Sequence, residues 1–179
     1  MSMKVYHGTE EKFEKFSYDK MGTHGQSEGM GFYFTDDYDV ARSYAEHDGY
    51  IIEADIDTSK VLSTEKITIS RQDIIKIINN LPDENDFLCN FGDIDYCGKE
   101  KILEEALNLL LKYNKNDADI MHDMATIHGN RGEILTAFNK ALGFTAIVCH
   151  PDWKSTQTIV IALTDNVIKN RKRTHVTNE

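Results

Sequence analysis

The residues with the most chemical content stand early in this chain. Val5-Tyr6-His7-Gly8-Thr9 brings an alternating segment to an end on an imidazole, a glycine and a hydroxyl. Further on, Gly29-Met30-Gly31-Phe32-Tyr33-Phe34-Thr35 is an aromatic run opened by two glycines, and Tyr44 follows Tyr33 by eleven positions. An imidazole can donate from one nitrogen and accept at the other, aromatic faces hold a flat cationic ring, and glycine lets a ligand come close to the backbone. Taken singly these residues are ordinary. A lone strand-end histidine is most simply a structural hydrogen-bonding group, and Tyr33 or Tyr44 alone would be a core aromatic packed between strand and helix. Their combination favours a ligand site.

Other chemistries fit the chain poorly. The glycines between residues 22 and 31 are not followed by Gly-Lys-Ser/Thr and precede a strand, so they do not form a triphosphate loop. His122 and His128 lie six apart on an expected helix, too far around it for a two-point metal site, and read as surface or core histidines. Three cysteines, Cys89, Cys97 and Cys149, cannot all pair within one chain and match no zinc ribbon or finger. No metal is expected, and a reducing compartment is the simpler setting. The net charge of -10 argues against general nucleic-acid binding, and the basic run Lys169-Asn170-Arg171-Lys172-Arg173 reads first as a solvated terminus, with nucleic-acid contact the lesser reading. There is no apolar leader and no stretch of the ~18 apolar residues a membrane span needs, so the expectation is a cytoplasmic protein without membrane contact.

These residues need elements to position them. With 179 residues, 40% of them hydrophobic, the chain reads as a single domain over 1–179 with a helical insertion at about 70–142. A strand at 4–7 leads to Phe13 and Phe16, spaced as a core face, then to an irregular loop over 19–29. The aromatic strand follows, Thr35-Asp36-Asp37 supplies an N-cap and acidic first turn, and a helix is expected over 37–47. Strand 50–57 comes next, with weaker extended pieces at 61–62 and 67–69. Ser70-Arg71-Gln72-Asp73 is a capping box for a helix running to Pro82. After a polar stretch at 83–98, helical patterns cover 99–113, 117–128 and 132–142, where Gly143 is the stop. Strands at 144–149 and 157–163 then pair as a hairpin. The fold class is α+β.

His7-Gly8-Thr9, residues 29–34 and Tyr44 together resemble the cofactor-binding elements of ADP-ribosyltransferases of the diphtheria-toxin and poly-ADP-ribose-polymerase type. The resemblance implies a split β-sheet core, with the helical block as an insertion it does not account for. It implies NAD+ as co-substrate. His7 would hydrogen-bond a ribose hydroxyl, the Gly8 backbone would hold the nicotinamide amide, and Tyr33 and Tyr44 would sandwich the ring. Thr9, Phe34 and Ala41 complete the implied cofactor-binding set. Ala41 stands where many polymerase-type members carry a serine, a missing hydrogen bond worth ~1 kcal/mol.

The family places a glutamate on a late strand, where it stabilises the oxocarbenium-like ribose formed as nicotinamide leaves. The matching element here is Gln157-Thr158-Ile159-Val160-Ile161, so the implied catalytic set is His7, Tyr33 and Gln157. An amide can orient a hydroxyl but carries no charge and takes no proton, so polymer formation is not expected. Asp152, in the preceding turn, is the competing candidate, since it stands at a similar distance from Gly143-Phe144 as the acid of some small phage-encoded transferases. Read without the resemblance, Gln157 is a polar strand residue facing solvent and Asp152 an ordinary turn aspartate after proline.

The resemblance thus implies a mono-ADP-ribosyltransferase that cleaves NAD+ at the nicotinamide–ribose bond and modifies a macromolecule, protein ahead of nucleic acid. The opening residues through Thr9 and the segment Leu142-Gly143-Phe144-Thr145 are similar to parts of small phage-encoded transferases that disable host defence proteins. A toxin or a phage–host conflict role follows, in the cytoplasm of the producing or infected bacterial cell, with an inhibitor, antitoxin or host defence protein as partner. The helical block would supply acceptor recognition or an inhibitor's docking face. Two rivals stand beside this: a catalytically inactive NAD-binding interaction module, and a rifamycin-type small-molecule ADP-ribosyltransferase, which the helical block disfavours.

Overall fold

A computed structural model of the chain describes residues 1–20, 30–150 and 157–177. The chain forms two compact units: Met1–Leu62 with Thr145–Glu179, and Ser63–Phe144.

The first unit is a seven-stranded mixed sheet with a helix, an α+β arrangement. Its strands are β1 (Ser2–Thr9), β2 (Phe32–Thr35), β3 (Tyr50–Asp57), β4 (Val61–Leu62), β5 (Ala146–Cys149), β6 (Ile159–Ala162) and β7 (Ile168–His175), in the order β4-β5-β6-β2-β1-β3-β7. Alternation in β3 buries Ile52, Ala54 and Ile56 on one face, where they join Val5, Phe32, Phe34, Val160 and Ala162 in a core with Phe16. The expected hairpin is present, with β5 and β6 antiparallel from Ala146↔Ala162 to Cys149↔Ile159. β1 and β3 are in register over their full length, from Ser2↔Asp57 to Thr9↔Tyr50. Between β1 and β2 the ladder keeps one register pair, Tyr6↔Thr35. The sheet is therefore two well-bonded halves held at a thin joint.

Helix α1 (Tyr38–Tyr44) is capped by Asp37, whose carboxylate accepts from the amides of Asp39 and Val40. It is shorter than expected because Glu46 turns to a positive φ of 48°, which ends the helical path. The basic run is not a solvated tail: it forms most of β7, the edge strand paired to β3. Lys172 stands opposite Glu53 and Lys169 opposite Asp55 in the register, and the Asn170 amide group donates to Asp55 Oδ2 at 2.7 Å. Charged side chains on an edge strand also discourage pairing with other chains.

The second unit is helical: α2 (Arg71–Ile78), α3 (Glu84–Leu88), α4 (Ile94–Cys97), α5 (Lys99–Tyr113), α6 (Asp117–His128) and α7 (Arg131–Leu142). The capping box at Ser70 and Asp73 is formed. The polar stretch at 83–98 holds two short helices, because Asp83 and Asp93 each cap a turn with their side chains. Residues 67–69 do not form a strand. The amides of Thr68 and Ile69 bond to the fully buried carboxylate of Asp117, which also takes the Ser63 amide and the Thr68 hydroxyl. His122 is exposed, whereas the His128 ring is buried and Nε2 meets Glu133 Oε2 at 2.6 Å. No helix among the described residues is long and apolar enough to cross a membrane.

Candidate functional site

His7 sits where β1 and β2 part, one residue past the single pair that joins them. Its Nδ1–H donates to the Tyr33 carbonyl at 2.7 Å. That bond fixes the tautomer, so in the neutral ring Nε2 is the acceptor nitrogen. The ring packs in an aromatic box, with centroids 5.1 Å from Phe16, 5.5 Å from Phe34 and 6.0 Å from Phe13. Strand alternation puts His7 on the face of Phe34 and Ile52, and sends Tyr6, Tyr33 and Thr35 to the other face.

Helix α1 covers that other face, and Gly8 is what lets it do so. A Cβ built at Gly8 would stand 1.7 Å from the Ala41 carbonyl oxygen and 3.0 Å from Tyr44 Cβ. No other residue fits this contact, so Gly8 has a packing reason beside its implied ligand role. Ala41 is 1% exposed in the same contact. Tyr44 stands beside Gly8 with its side chain open to solvent, and Tyr33 is half-buried on the strand. The two tyrosines thus flank the α1 face near the end of β1. Thr9 bonds locally, its hydroxyl accepting from the Glu11 amide at 3.1 Å, and Phe34 is a core residue forming a wall of the His7 box.

Gln157 is buried at 4% exposure, against the reading of a strand residue facing solvent. Its Nε2 donates to Thr35 Oγ1 at 3.3 Å, while its buried Oε1 has no hydrogen-bond partner among the described residues. Flanking backbone bonds hold it there: the Thr158 amide donates to Asp36 Oδ1 at 2.8 Å, and the Asp36 amide to the Thr158 carbonyl at 3.2 Å. A buried carbonyl oxygen left unpaired costs roughly 1–3 kcal/mol, so a donor arriving with a ligand would be favoured at this point. Asp152 and Gly29 lie outside the described residues.

Thr35 and Asp36 therefore hold Gln157 in place and do not cap α1, a task left to Asp37. A Thr-Asp doublet directly after an aromatic strand was the available signal for that role. Phe13 and Phe16, read as core, are also the walls of the His7 box.

Residues 1–175 match the model of a protein family described as ADP-ribosyltransferase in polyvalent proteins. No curated protein and no solved structure matches the chain.

Proposed function

The chain belongs to the family of ADP-ribosyltransferases in polyvalent proteins, and on that premise we propose that it is a mono-ADP-ribosyltransferase acting on a macromolecule. ADP-ribosyltransferases use NAD+ as substrate. The observation that carries the reading is the parting of the sheet just beyond Tyr6↔Thr35, with His7, Gly8 and Tyr33 at its margins. A dinucleotide laid at that parting has side chains of both faces of the sheet beside it. Its nicotinamide lies by Gly8 between Tyr33 and Tyr44, and His7 Nε2 accepts a ribose hydroxyl. Gln157 Oε1, unpartnered among the described residues, accepts a second hydroxyl from the nicotinamide-bearing ribose.

The bond between the nicotinamide nitrogen and the ribose C1′ breaks, and nicotinamide leaves with the electron pair. The acceptor's nucleophile attacks C1′ and gives up its proton to solvent. Gln157 orients the sugar but cannot remove that proton, which fits one transfer per acceptor site and no chain growth. The acceptor is a macromolecule, protein ahead of nucleic acid. The setting is phage–host conflict in the cytoplasm of the producing or infected bacterial cell, with a host defence protein or an inhibitor as partner. The sequence similarity of the opening residues and of Leu142-Gly143-Phe144-Thr145 to phage-encoded transferases supports this.

The test is incubation of pure protein with labelled NAD+ and whole-cell lysate, followed into protein and nucleic-acid fractions. Label is expected in protein and is lost in His7→Ala and Tyr33→Ala. The absence of a carboxylate at Gln157 favours one second reading, an inactive NAD-binding module. Label in neither fraction with NAD+ still bound would establish that reading instead, and nicotinamide release without labelling would indicate a hydrolase.

A further inference from the structure

On the His7 face of the first unit lies an open cleft of about 380 Å³, lined by Phe13, Glu14, Phe16, Ile52, Arg171 and Arg173. Phe13 and Phe16 are also the residues against which the His7 ring packs. Register links the two places: His7 is paired with Ile52, and Ile52 with Arg173. Arg173 is thus two strands from His7 in one cross-strand row, roughly 10 Å away at about 4.8 Å per strand.

The two guanidinium groups are used differently. In Arg171, Nε donates to the Ile168 carbonyl, Nη1 to the Glu14 carbonyl at 3.3 Å and to Asp165 Oδ1 at 2.8 Å, and Nη2 to the Asp165 carbonyl. It also lies over the Phe16 ring at 5.6 Å. Its charge is met and its donors are mostly spent, so it builds the wall. Arg173 commits Nη1 to the Phe13 carbonyl at 2.8 Å and lies 5.7 Å from the centre of the Tyr50 ring. It has no carboxylate partner among the described residues. A guanidinium has five N–H donors in a fixed fork suited to phosphate oxygens, and most of those on Arg173 remain for a ligand.

We propose that this cleft is a phosphate-binding subsite in which Arg173 holds the diphosphate of a dinucleotide. The assignment rests on the reading of His7 as the ribose-binding residue, because the diphosphate is the charged group next along the ligand from that sugar. The basic strand then serves a small ligand, and the net charge of -10 keeps polyanions such as duplex nucleic acid from competing for it. The Glu14 carboxylate, exposed at the rim, works against the anion and gives an independent handle.

Calorimetric titration of NAD+, inorganic pyrophosphate and nicotinamide riboside into wild type, Arg173→Gln and Glu14→Gln tests the assignment, with circular dichroism confirming each fold. Arg173→Gln is expected to weaken NAD+ and pyrophosphate by about tenfold, the loss of one charge-assisted contact. Glu14→Gln is expected to tighten both by roughly two- to threefold. Neither should change the affinity of nicotinamide riboside, which has no phosphate. Equal NAD+ and pyrophosphate affinities in wild type and Arg173→Gln overturn the proposal while leaving NAD+ use intact. Pyrophosphate binding that depends on Arg173 in a protein that does not bind NAD+ keeps the phosphate subsite and removes the NAD+ reading. Dependence on Arg173 seen for a single-stranded oligonucleotide but not for NAD+ would overturn the assignment to the dinucleotide.

Discussion

Gln157 shows most clearly how a residue's role departs from its sequence appearance. Its burial depends on Thr35 and Asp36, more than a hundred positions away, and no local pattern reports that neighbour. With its buried Oε1 unpartnered among the described residues, the side chain is poorly accommodated for stability, as an atom reserved for the proposed ligand would be. Gln157→Leu keeps most of the volume and removes the unsatisfied atom. Thermal melting is expected at the same or a higher temperature, while NAD+ turnover falls by at least about tenfold. A clear loss of stability with turnover intact would make Gln157 structural. Gly8 was legible, but for half its reason: the sequence suggested close approach of a ligand, and the structure adds close approach of α1. Gly8→Ala must displace Ala41, and a cost of about 1–3 kcal/mol is expected from denaturant unfolding, accompanied by weaker NAD+ binding as Tyr44 moves.

At the scale of elements, local signals read well and pairing signals did not. The capping box at Ser70 and Asp73 was legible because four adjacent residues contain its whole physics. Bonds from the Ser70 amide and hydroxyl hold the Asp73 carboxyl below its ordinary value of 3.8. A carboxylate lowered in the folded state stabilises above its unfolded value, and that stability is lost as pH falls through the folded one. The stability gap between wild type and Asp73→Asn should therefore be full at neutral pH and close in the acid range below about pH 4; a gap constant across that range would sink the linkage. Ser70→Ala should cost about 1 kcal/mol by denaturant unfolding at neutral pH. Strand β7 is the opposite case. Four basic residues over 169–173 look like a solvated end, and only the ladder to β3, a segment more than a hundred positions earlier, makes them an edge strand. Likewise residues 67–69 have strand character, but Asp117 takes the amides a ladder would need.

For the whole molecule, the decisive feature is a relation between strands that one-dimensional patterns do not contain. The β5–β6 hairpin and helices α2, α5, α6 and α7 follow from local periodicity. The order β4-β5-β6-β2-β1-β3-β7 does not, because it joins segments distant in sequence through register and burial. Nor does the thin joint at Tyr6↔Thr35, where β1 and β2 separate while β1 stays paired to β3 and β2 to β6. That joint makes a prediction about the entire chain. If NAD+ lies at that parting, binding should tighten the weakest ladder of the first unit. A ligand at a hundred times its Kd adds about 2.7 kcal/mol to any opening that releases it. Amide hydrogen exchange with saturating NAD+ should then slow at residues 7–9 and 32–35 more than anywhere in Ser63–Phe144. Protection centred on the helical unit, with the β1–β2 joint unchanged, would place the ligand elsewhere and refute the proposed site.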